Sequence, residues 1–246
     1  MPKKRAAAAS SAAAPAEGSG KRARSTASAS AEGASTAEGG ATTAPTSRHQ
    51  YASICSSNMN RSMECHFRLR KRQYAVRSYG TGTQVKLPGR AADKPNVYDF
   101  GTPYEQILAE LSTDNADGLY TANGVMELLA RNVGVKRAPE RWQLVAPAAF
   151  NFDVVLTFEE RVYDLVFEDF TARELRREMQ ADRPVHCINI DVKDSHEEAL
   201  RAAAETVQLC ETLETIDLSD TSAVESAVDE FKERTGRAVI YTLFWR

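Results

Sequence analysis

Cys55 and Arg61 are separated by five residues, and Ser62 follows them, in the segment Cys55-Ser-Ser-Asn-Met-Asn-Arg61-Ser62. A loop of that length can wrap its backbone N–H groups around one tetrahedral anion, and a helix beginning near Arg61 would add partial positive charge. Arg61 can donate two parallel hydrogen bonds to oxygens of the same anion. This positive field would also stabilise a thiolate at Cys55, the form in which cysteine is a nucleophile. The segment therefore predicts a nucleophilic cysteine beneath a bound phosphate.

The residues between and after these two have supporting roles in this hypothesis. Ser62 can donate a hydrogen bond to a Cys55 thiolate, and Asn58 can brace the loop. The predicted phosphate-binding loop comprises Ser56, Ser57, Asn58, Met59, Asn60 and Ser62. The alternative interpretation is a buried cysteine that ends a strand, followed by an arginine on a solvated helix.

Attack of a thiolate on a phosphoester also needs an acid that gives a proton to the departing oxygen. Such an acid contributes about 10²- to 10⁴-fold, and a serine alkoxide, which leaves poorly, depends on it more than a phenol does. Asp191 and Asp194 follow the apolar run 185–190, where a strand would end. Acids near a helix start are also common because they interact favourably with the helix dipole. Spacing alone leaves these interpretations open.

A sheet must position these residues, and the pattern of the chain predicts one. Apolar runs typical of strands lie at 51–55, 75–79, 152–157, 185–190 and 238–244, with an extended loop or short hairpin at 84–100. Helical patterns lie at 61–73, 104–112, 122–132, 159–167, 171–179 and 221–234, and the capping box of Ser195 and Glu198 opens a long helix toward Leu213. This alternation predicts an α/β fold, a doubly wound and mostly parallel sheet with flanking helices. Ligands of such sheets bind at the carboxyl ends of strands, where Cys55 lies.

The first 48 residues differ in composition from the rest of the chain. They contain no Val, Ile, Leu, Phe, Tyr or Trp and carry a net charge of +4, whereas residues 49–246 carry −7. A segment with no apolar side chains to bury cannot offset the entropy of ordering its backbone. We therefore predict a disordered tail over 1–48 and a single domain over 49–246.

Two basic clusters in the tail, Lys3-Lys4-Arg5 and Lys21-Arg22-Ala23-Arg24, have the spacing of a bipartite nuclear import signal. The alternative is a solubilising low-complexity extension. No apolar run approaches the roughly 18 to 20 residues of a membrane span. Four cysteines without a CxxC pair or a Cys/His cluster predict neither a disulfide-built fold nor a zinc site. The negative charge of residues 49–246 argues against direct binding of nucleic acid.

Seven blocks spread over residues 50–246 occur together in this chain. They are Cys55-Ser-Ser-Asn-Met-Asn-Arg-Ser-Met-Glu, Arg77-Ser-Tyr-Gly-Thr-Gly-Thr, Val85-Lys-Leu-Pro-Gly, Asp93-Lys-Pro-Asn-Val-Tyr-Asp-Phe, Leu119-Tyr-Thr, Glu159-Glu-Arg-Val-Tyr-Asp and Asp191-Val-Lys-Asp-Ser-His-Glu-Glu-Ala. Together they closely resemble the cysteine-dependent phosphatases of the RNA polymerase II C-terminal domain, relatives of the low-molecular-weight tyrosine phosphatases. Ser53 departs from the pattern, since an apolar residue is expected there in the first strand, and predicts weaker packing beneath the loop.

This resemblance implies an activity and a role for each matching residue. The activity is removal of phosphate from phosphoserine at the fifth position of the YSPTSPS heptad, before a cis proline, in nuclear transcription and mRNA 3′-end processing. Cys55 would be the nucleophile, Arg61 the phosphate clamp, and Asp194 the general acid and later the general base, with Asp191 in a structural role. No cofactor is implied, and the expected partner is a symplekin-like scaffold subunit of the cleavage and polyadenylation machinery. The walls of the peptide groove would be Lys86, Leu87, Pro88, Tyr120 and Leu128.

Other functions on the same fold stay open. Tyrosine phosphatases of the wider superfamily usually carry Asp-Pro at the acid, whereas this chain has Asp194-Ser195. Arsenate reduction needs further cysteines close together, which fits poorly with the separation of Cys187 and Cys210 in the sequence. A phosphopeptide-binding scaffold subunit is the alternative from outside the enzymes.

Overall fold

The structure is a computed structural model that describes residues 44–91, 93–179 and 182–246. Seven strands lie in the described residues: β1 (Gln50–Cys55), β2 (Ala75–Gly80), β3 (Val85–Ala91), β4 (Lys94–Tyr98), β5 (Val154–Phe158), β6 (Pro184–Ile190) and β7 (Val239–Trp245). Seven α-helices lie among them: α1 (Arg61–Lys71), α2 (Tyr104–Thr113), α3 (Leu119–Ala122), α4 (Val125–Val133), α5 (Glu160–Leu175), α6 (His196–Leu213) and α7 (Thr221–Thr235). No helix of this part of the chain has the length and apolar character needed to cross a membrane.

Five strands form the central sheet in the order β2-β1-β5-β6-β7. The first four are parallel to one another, and β7 joins β6 in the antiparallel direction. The sheet is buried on both faces, because alternate residues of β5 face two different cores. One core contains residues of α1, α6 and α7, and the other contains residues of α5 and the aromatic segment 142–152. The predicted doubly wound, mostly parallel α/β fold is therefore confirmed.

A third layer lies beside the carboxyl end of β1 and is built by the chain between β2 and β5. The strands β3 and β4 pair as an antiparallel hairpin, so the hairpin alternative for residues 84–100 is the one observed. This hairpin shares a core with α2, α3 and α4 and with Met59 and Met63. The layer thus packs directly against the predicted phosphate-binding loop.

One predicted break between helices is wrong. The pattern at 159–167 and the first part of that at 171–179 belong to the single helix α5, which ends at Leu175 rather than at residue 179. Phe170 is buried in the core, and the Arg173 guanidinium donates to Asp169 at 2.7 Å and to the Val145 carbonyl at 3.0 Å. Because residues 168–170 include no helix breaker and Phe170 has a place in the core, the helix continues.

Most of the predicted tail, residues 1–43, lies outside the described residues, and with it both basic clusters. Its last residues contact the folded body. Thr46 N–H donates to the Gln73 carbonyl at 2.8 Å, and the Arg48 guanidinium donates to the Glu214 carbonyl at 2.9 Å. Within the described residues, hydrogen bonds to the body are therefore made before position 49.

His66, on α1, gives the fold an acid-sensitive point. Burial, together with the positive charges of Lys136 and Arg70, lowers the pKa of this imidazole from 6.5 to about 3, and Nδ1 lies 2.8 Å from Ser78 Oγ. The imidazole of His66 binds a proton more readily in the unfolded chain than in the folded one. The stability that the neutral His66 contributes is therefore fully present above pH 6.5 and falls as the pH decreases toward 3. Between these two pH values, the free energy of unfolding should fall by about 1.4 kcal/mol per pH unit because of this group.

The effect is measurable by urea unfolding of wild-type protein and His66→Gln between pH 7 and pH 5. Contributions from carboxylates are common to both proteins and cancel. We expect the wild type to lose about 2 kcal/mol more than the variant over this interval. Parallel curves of unfolding free energy against pH would contradict the assignment.

Candidate active site

Cys55 is the last residue of β1 and lies beside Gly80, the last residue of β2. Cys55 is almost completely buried, and the loop that follows is fastened to the end of β2 by backbone hydrogen bonds. Thr81 N–H donates to the Cys55 carbonyl at 3.0 Å, and Gly82 N–H donates to the Ser56 carbonyl at 2.9 Å. Gly80 permits this approach, because a Cβ there would lie 2.7 Å from the Ser56 carbonyl oxygen.

The inner side chains of the loop converge on Ser62. Its hydroxyl lies 3.1 Å from Cys55 Sγ and accepts a hydrogen bond from Asn58 Nδ2 at 3.0 Å. Asn58 itself has a left-handed backbone with φ of 52°, which lets the chain turn within the loop. Ser53 Oγ donates to the Ser62 carbonyl at 2.5 Å, so this serine ties β1 to the first turn of α1. The hydroxyl of Ser53 thus has a partner that the apolar residue expected at this position would lack.

Arg61 opens α1, and its guanidinium is fixed by three neighbours. Nη1 donates to the Val192 carbonyl at 2.9 Å, while Nη2 donates to Glu159 at 2.9 Å and to Asp194 at 3.2 Å. Burial alone would lower the pKa of Arg61, but the negative charges of Cys55, Asp194 and Glu159 raise it above its ordinary value. Nε is buried and has no hydrogen-bond partner among the described residues, so it is available to an anion.

Of the two candidate acids, Asp194 lies at the loop. Its carboxylate accepts from Arg61 Nη2 at 3.2 Å and from Asn60 Nδ2 at 3.0 Å. Asp191 comes directly after β6 and has an exposed side chain, and in the described part of the chain no hydrogen bond joins that side chain to Arg61 or Cys55. Half of the predicted capping box is confirmed, because Ser195 Oγ accepts from Glu198 N–H at 3.2 Å. The other half is not formed, since the Ser195 N–H donates to the Lys193 carbonyl and the Glu198 carboxylate pairs with Arg237.

Glu159 is a site residue that the sequence reasoning missed. It stands between β5 and α5 with φ of 111° and ψ of 133°, a backbone that costs a non-glycine residue on the order of 1–3 kcal/mol. In this conformation, the Glu159 carboxylate forms an ion pair with Arg61 Nη2 at 2.9 Å. The rule that ligands bind at the carboxyl ends of parallel strands would have pointed to it, since β5 ends at Phe158.

Two further positive charges lie behind the loop. Lys136 Nζ donates to the Ser78 carbonyl at 2.6 Å and pairs with Glu140 at 2.6 Å. Burial lowers the pKa of Lys136, and the negative charges of Glu140 and Cys55 oppose that shift. Burial likewise lowers the pKa of Arg131, which pairs with Glu64 at 2.6 Å. These cations would stabilise a thiolate, and no sequence motif pointed to them.

The predicted groove residues divide into two sets. Leu87, Tyr120 and Leu128 are buried together in the core of the third layer, whereas Lys86 and Pro88 are exposed on β3. The hairpin reaches the loop itself, because Lys86 N–H donates to Ser57 Oγ at 3.1 Å. Over residues 44–91, 93–179 and 182–246, no three His, Cys, Asp or Glu side chains form a cluster that could hold a metal ion.

Comparison with known proteins identifies the family of this chain. Residues 49–246 match the family model described as Ssu72-like protein. Proteins named as the RNA polymerase II C-terminal domain phosphatase SSU72 are 46% identical in Mus musculus and 45% identical in Homo sapiens, over 200 residues that cover 81% of this chain and 98% of each relative. A structure of Drosophila melanogaster Ssu72 with Symplekin, bound to a cis peptidomimetic CTD peptide that carries phosphoserine at position five, has a TM-score of 0.73 and 40% identity, over 81% of this chain and 100% of that chain. The resemblance seen in the sequence is thus confirmed, and the chain belongs to the Ssu72 family.

Proposed function

We propose that this chain is a phosphatase of the RNA polymerase II C-terminal domain, which removes phosphate from the phosphoserine before proline at the fifth heptad position. It uses a cysteinyl-phosphate intermediate and needs no metal ion. The observation that carries the proposal is the convergence of Cys55, Ser62, Arg61 and Asp194 at one loop, with Cys55 Sγ 3.1 Å from Ser62 Oγ and Arg61 Nη2 3.2 Å from Asp194. The names of relatives 45–46% identical to the chain support the same substrate class.

In the first step, the Cys55 thiolate attacks phosphorus while the bond from phosphorus to the serine oxygen breaks. Arg61 and the loop amides bind the equatorial oxygens, and the Asp194 carboxyl gives its proton to the departing serine oxygen. A phosphate in the loop competes with Asp194 for Arg61 Nη2. Asp194 then retains Asn60, whose Nδ2 lies 3.0 Å from its carboxylate, as its hydrogen-bond partner.

In the second step, water attacks phosphorus and the bond between sulfur and phosphorus breaks. The Asp194 carboxylate takes a proton from this water, Cys55 returns to the thiolate, and inorganic phosphate leaves. Ser62 Oγ, 3.1 Å from Cys55 Sγ, can donate a hydrogen bond to the sulfur as negative charge returns to it. Apart from the attacking water, neither step consumes a group that the chain lacks.

The direct test is phosphate release by the full chain from heptad peptides with one phosphate each, in the presence of a chelator. We expect release from phosphoserine at the fifth position, and faster release when the following proline is locked in cis. Preference for a phosphotyrosine peptide would instead support a tyrosine phosphatase. Absence of release from every peptide, or its complete loss to the chelator, would overturn the proposal.

We also propose a partner and a location. The Drosophila relative has been solved with Symplekin, so we expect this chain to bind a symplekin-like scaffold, which co-purification of tagged full chain can test. We expect a nuclear protein, because RNA polymerase II works there, with the two basic clusters before residue 25 as the import signal. A fluorescent fusion in which both clusters are changed to alanine should then be lost from the nucleus.

Glu159 provides a prediction about the clamp. We expect Glu159→Gln to lower kcat/KM by about 10- to 100-fold, because loss of the carboxylate charge lets the Arg61 guanidinium move from its phosphate-binding orientation. The neighbouring Glu160→Gln is the matched control, since Glu160 is exposed on the first turn of α5. Steady-state kinetics on the phosphoserine heptad would measure both variants, and equal rates for the two would contradict a role for Glu159.

A further inference from the structure

The back of the phosphate-binding loop is held by side chains from the third layer. Three consecutive loop residues present their carbonyl oxygens to this layer. Tyr104 Oη donates to the Asn58 carbonyl at 2.6 Å, and Asn132 Nδ2 donates to the Met59 carbonyl at 2.8 Å. Arg131 Nη2 donates to the Met59 carbonyl at 2.9 Å and to the Asn60 carbonyl at 3.4 Å. Each of these loop carbonyls therefore has a donor from α2 or α4.

These donors are themselves fixed in place. Tyr104 and Asn132 are fully buried, and the side chain of Arg131 is 9% exposed. Arg131 Nη1 pairs with Glu64 at 2.6 Å, and its Nε donates to Asn132 Oδ1 at 3.1 Å. Burial holds the pKa of Tyr104 well above its ordinary value, so its hydroxyl keeps the proton that it donates. The Asn58 and Met59 carbonyls are thus directed by donors outside the loop, whereas the Asn60 carbonyl accepts the Glu64 N–H of α1 at 2.9 Å in addition to Arg131.

Because the peptide bond is planar, the direction of each carbonyl also determines the direction of the N–H group of the next residue. In a trans peptide, the C=O of one residue and the N–H of the next point to opposite sides of the chain. Fixing the carbonyls of residues 58 and 59 toward α2 and α4, and that of Asn60 toward Arg131 and the Glu64 N–H, therefore turns the N–H groups of Met59, Asn60 and Arg61 away from these donors. Among the described residues these three amides have no acceptor. Converging amides without acceptors are the donors that bind a phosphate dianion.

We infer that Tyr104, Arg131 and Asn132 are positioning residues, which aim the amides of residues 59–61 at the substrate phosphate. This inference rests on the proposed function and goes beyond it, because none of the three touches the reacting atoms. It gives the third layer a role in the chemistry.

Three variants remove these donors with increasing severity. Tyr104→Phe deletes one hydroxyl and keeps the buried ring, Arg131→Lys keeps the charge and loses the forked donor, and Asn132→Ala removes the amide. Leu129→Ala is the control for lost stability, because Leu129 is fully buried on the same helix and packs in the core rather than on the loop carbonyls. The melting temperature of every variant is measured, and all assays run well below it.

Two readouts separate positioning from stability. One is kcat/KM for the phosphoserine heptad, and the other is the affinity for inorganic phosphate by titration calorimetry, which needs no turnover. We expect Asn132→Ala to lower kcat/KM by about 10- to 100-fold and to weaken phosphate binding by about tenfold, with smaller losses in the other two variants. Leu129→Ala should lower the melting temperature and leave phosphate affinity within about twofold.

The inference would be overturned if Tyr104→Phe and Arg131→Lys had the phosphate affinity and the kcat/KM of the wild type. These two substitutions are conservative, so we expect both variants to fold. Failure of the wild type to turn over any heptad would instead count against the proposed function. In that case the calorimetric comparison still decides whether these residues aim the amides. The two failures are therefore distinguishable.

Discussion

Cys55→Ser is expected to lower kcat on the phosphoserine heptad by about 10⁴-fold or more. A serine hydroxyl beside Ser62 does not ionise near neutral pH, so the attack on phosphorus loses its nucleophile. Arg61 and the loop amides remain, and a bound dianion no longer faces a thiolate. Binding of the phosphopeptide should therefore persist with a Kd within a few-fold of the wild-type value, or become tighter.

The control for this variant is Cys65→Ala, on α1. Cys65 is fully buried, and burial raises the pKa of its thiol to about 12, so it is not a thiolate at neutral pH. Its replacement should leave kcat within a few-fold of wild type, with a modest change in melting temperature. Rapid-quench detection of phosphoprotein should find an intermediate in Cys65→Ala and none in Cys55→Ser. A phosphorylated Cys55→Ser protein, or an active one, would contradict the assignment of the nucleophile.

Asp194→Asn is expected to lower kcat on phosphoserine by about 10²- to 10⁴-fold, because the leaving serine alkoxide then has no proton donor. An aryl phosphate releases a phenol, which leaves without help, so the loss on that substrate should be smaller. The comparison of the two substrates identifies the step in which Asp194 acts. Hydrolysis of the intermediate uses the same carboxyl as a base, so phosphoprotein should also persist longer in this variant.

Asp191→Asn is the matched control for the acid, since it makes the same chemical change three residues earlier. Its side chain is exposed at the end of β6, away from the Arg61 contacts. Its rates on both substrates should stay within a few-fold of the wild-type rates. Equal losses in the two aspartate variants, or an identical loss on serine and aryl esters, would contradict a general acid at Asp194.

The sequence predicted the elements and the loop where local pattern carries the information. Five residues between Cys55 and Arg61 define a loop of fixed length, and a strand before it and a helix after it follow from the periodicity of apolar residues. The helix start at Ser195 was readable for the same reason, since Ser195 and Glu198, whose N–H it accepts, are three residues apart. The break predicted within α5 was wrong, because the burial of Phe170 in the core overrides a weak local pattern.

Which distant side chains reach the loop was not readable from the sequence. Glu159 and Lys136 are ordinary surface residue types, and Arg131 and Asn132 sit in a helix whose sequence shows only an amphipathic pattern. Ser53 looks like a defect in a strand when the sequence is considered alone, although its hydroxyl donates to the carbonyl of Ser62. In each case the role depends on a partner residue that the local sequence does not identify.

Patterns within short segments were thus enough to predict the α/β fold and the loop of Cys55 and Arg61, and the resemblance of seven blocks over residues 50–246 was enough to predict the family. Spacing left Asp191 and Asp194 open and the resemblance favoured Asp194, but the contact of Asp194 with Arg61 is visible only in the folded chain. Only the folded chain brings Glu159 to the clamp and the third layer to the back of the loop. The physical reason is that a hydrogen bond or ion pair forms only within about 3 Å. Separations of 73 residues between Met59 and Asn132, or 98 between Arg61 and Glu159, are closed only by the packing of the sheet and its helices.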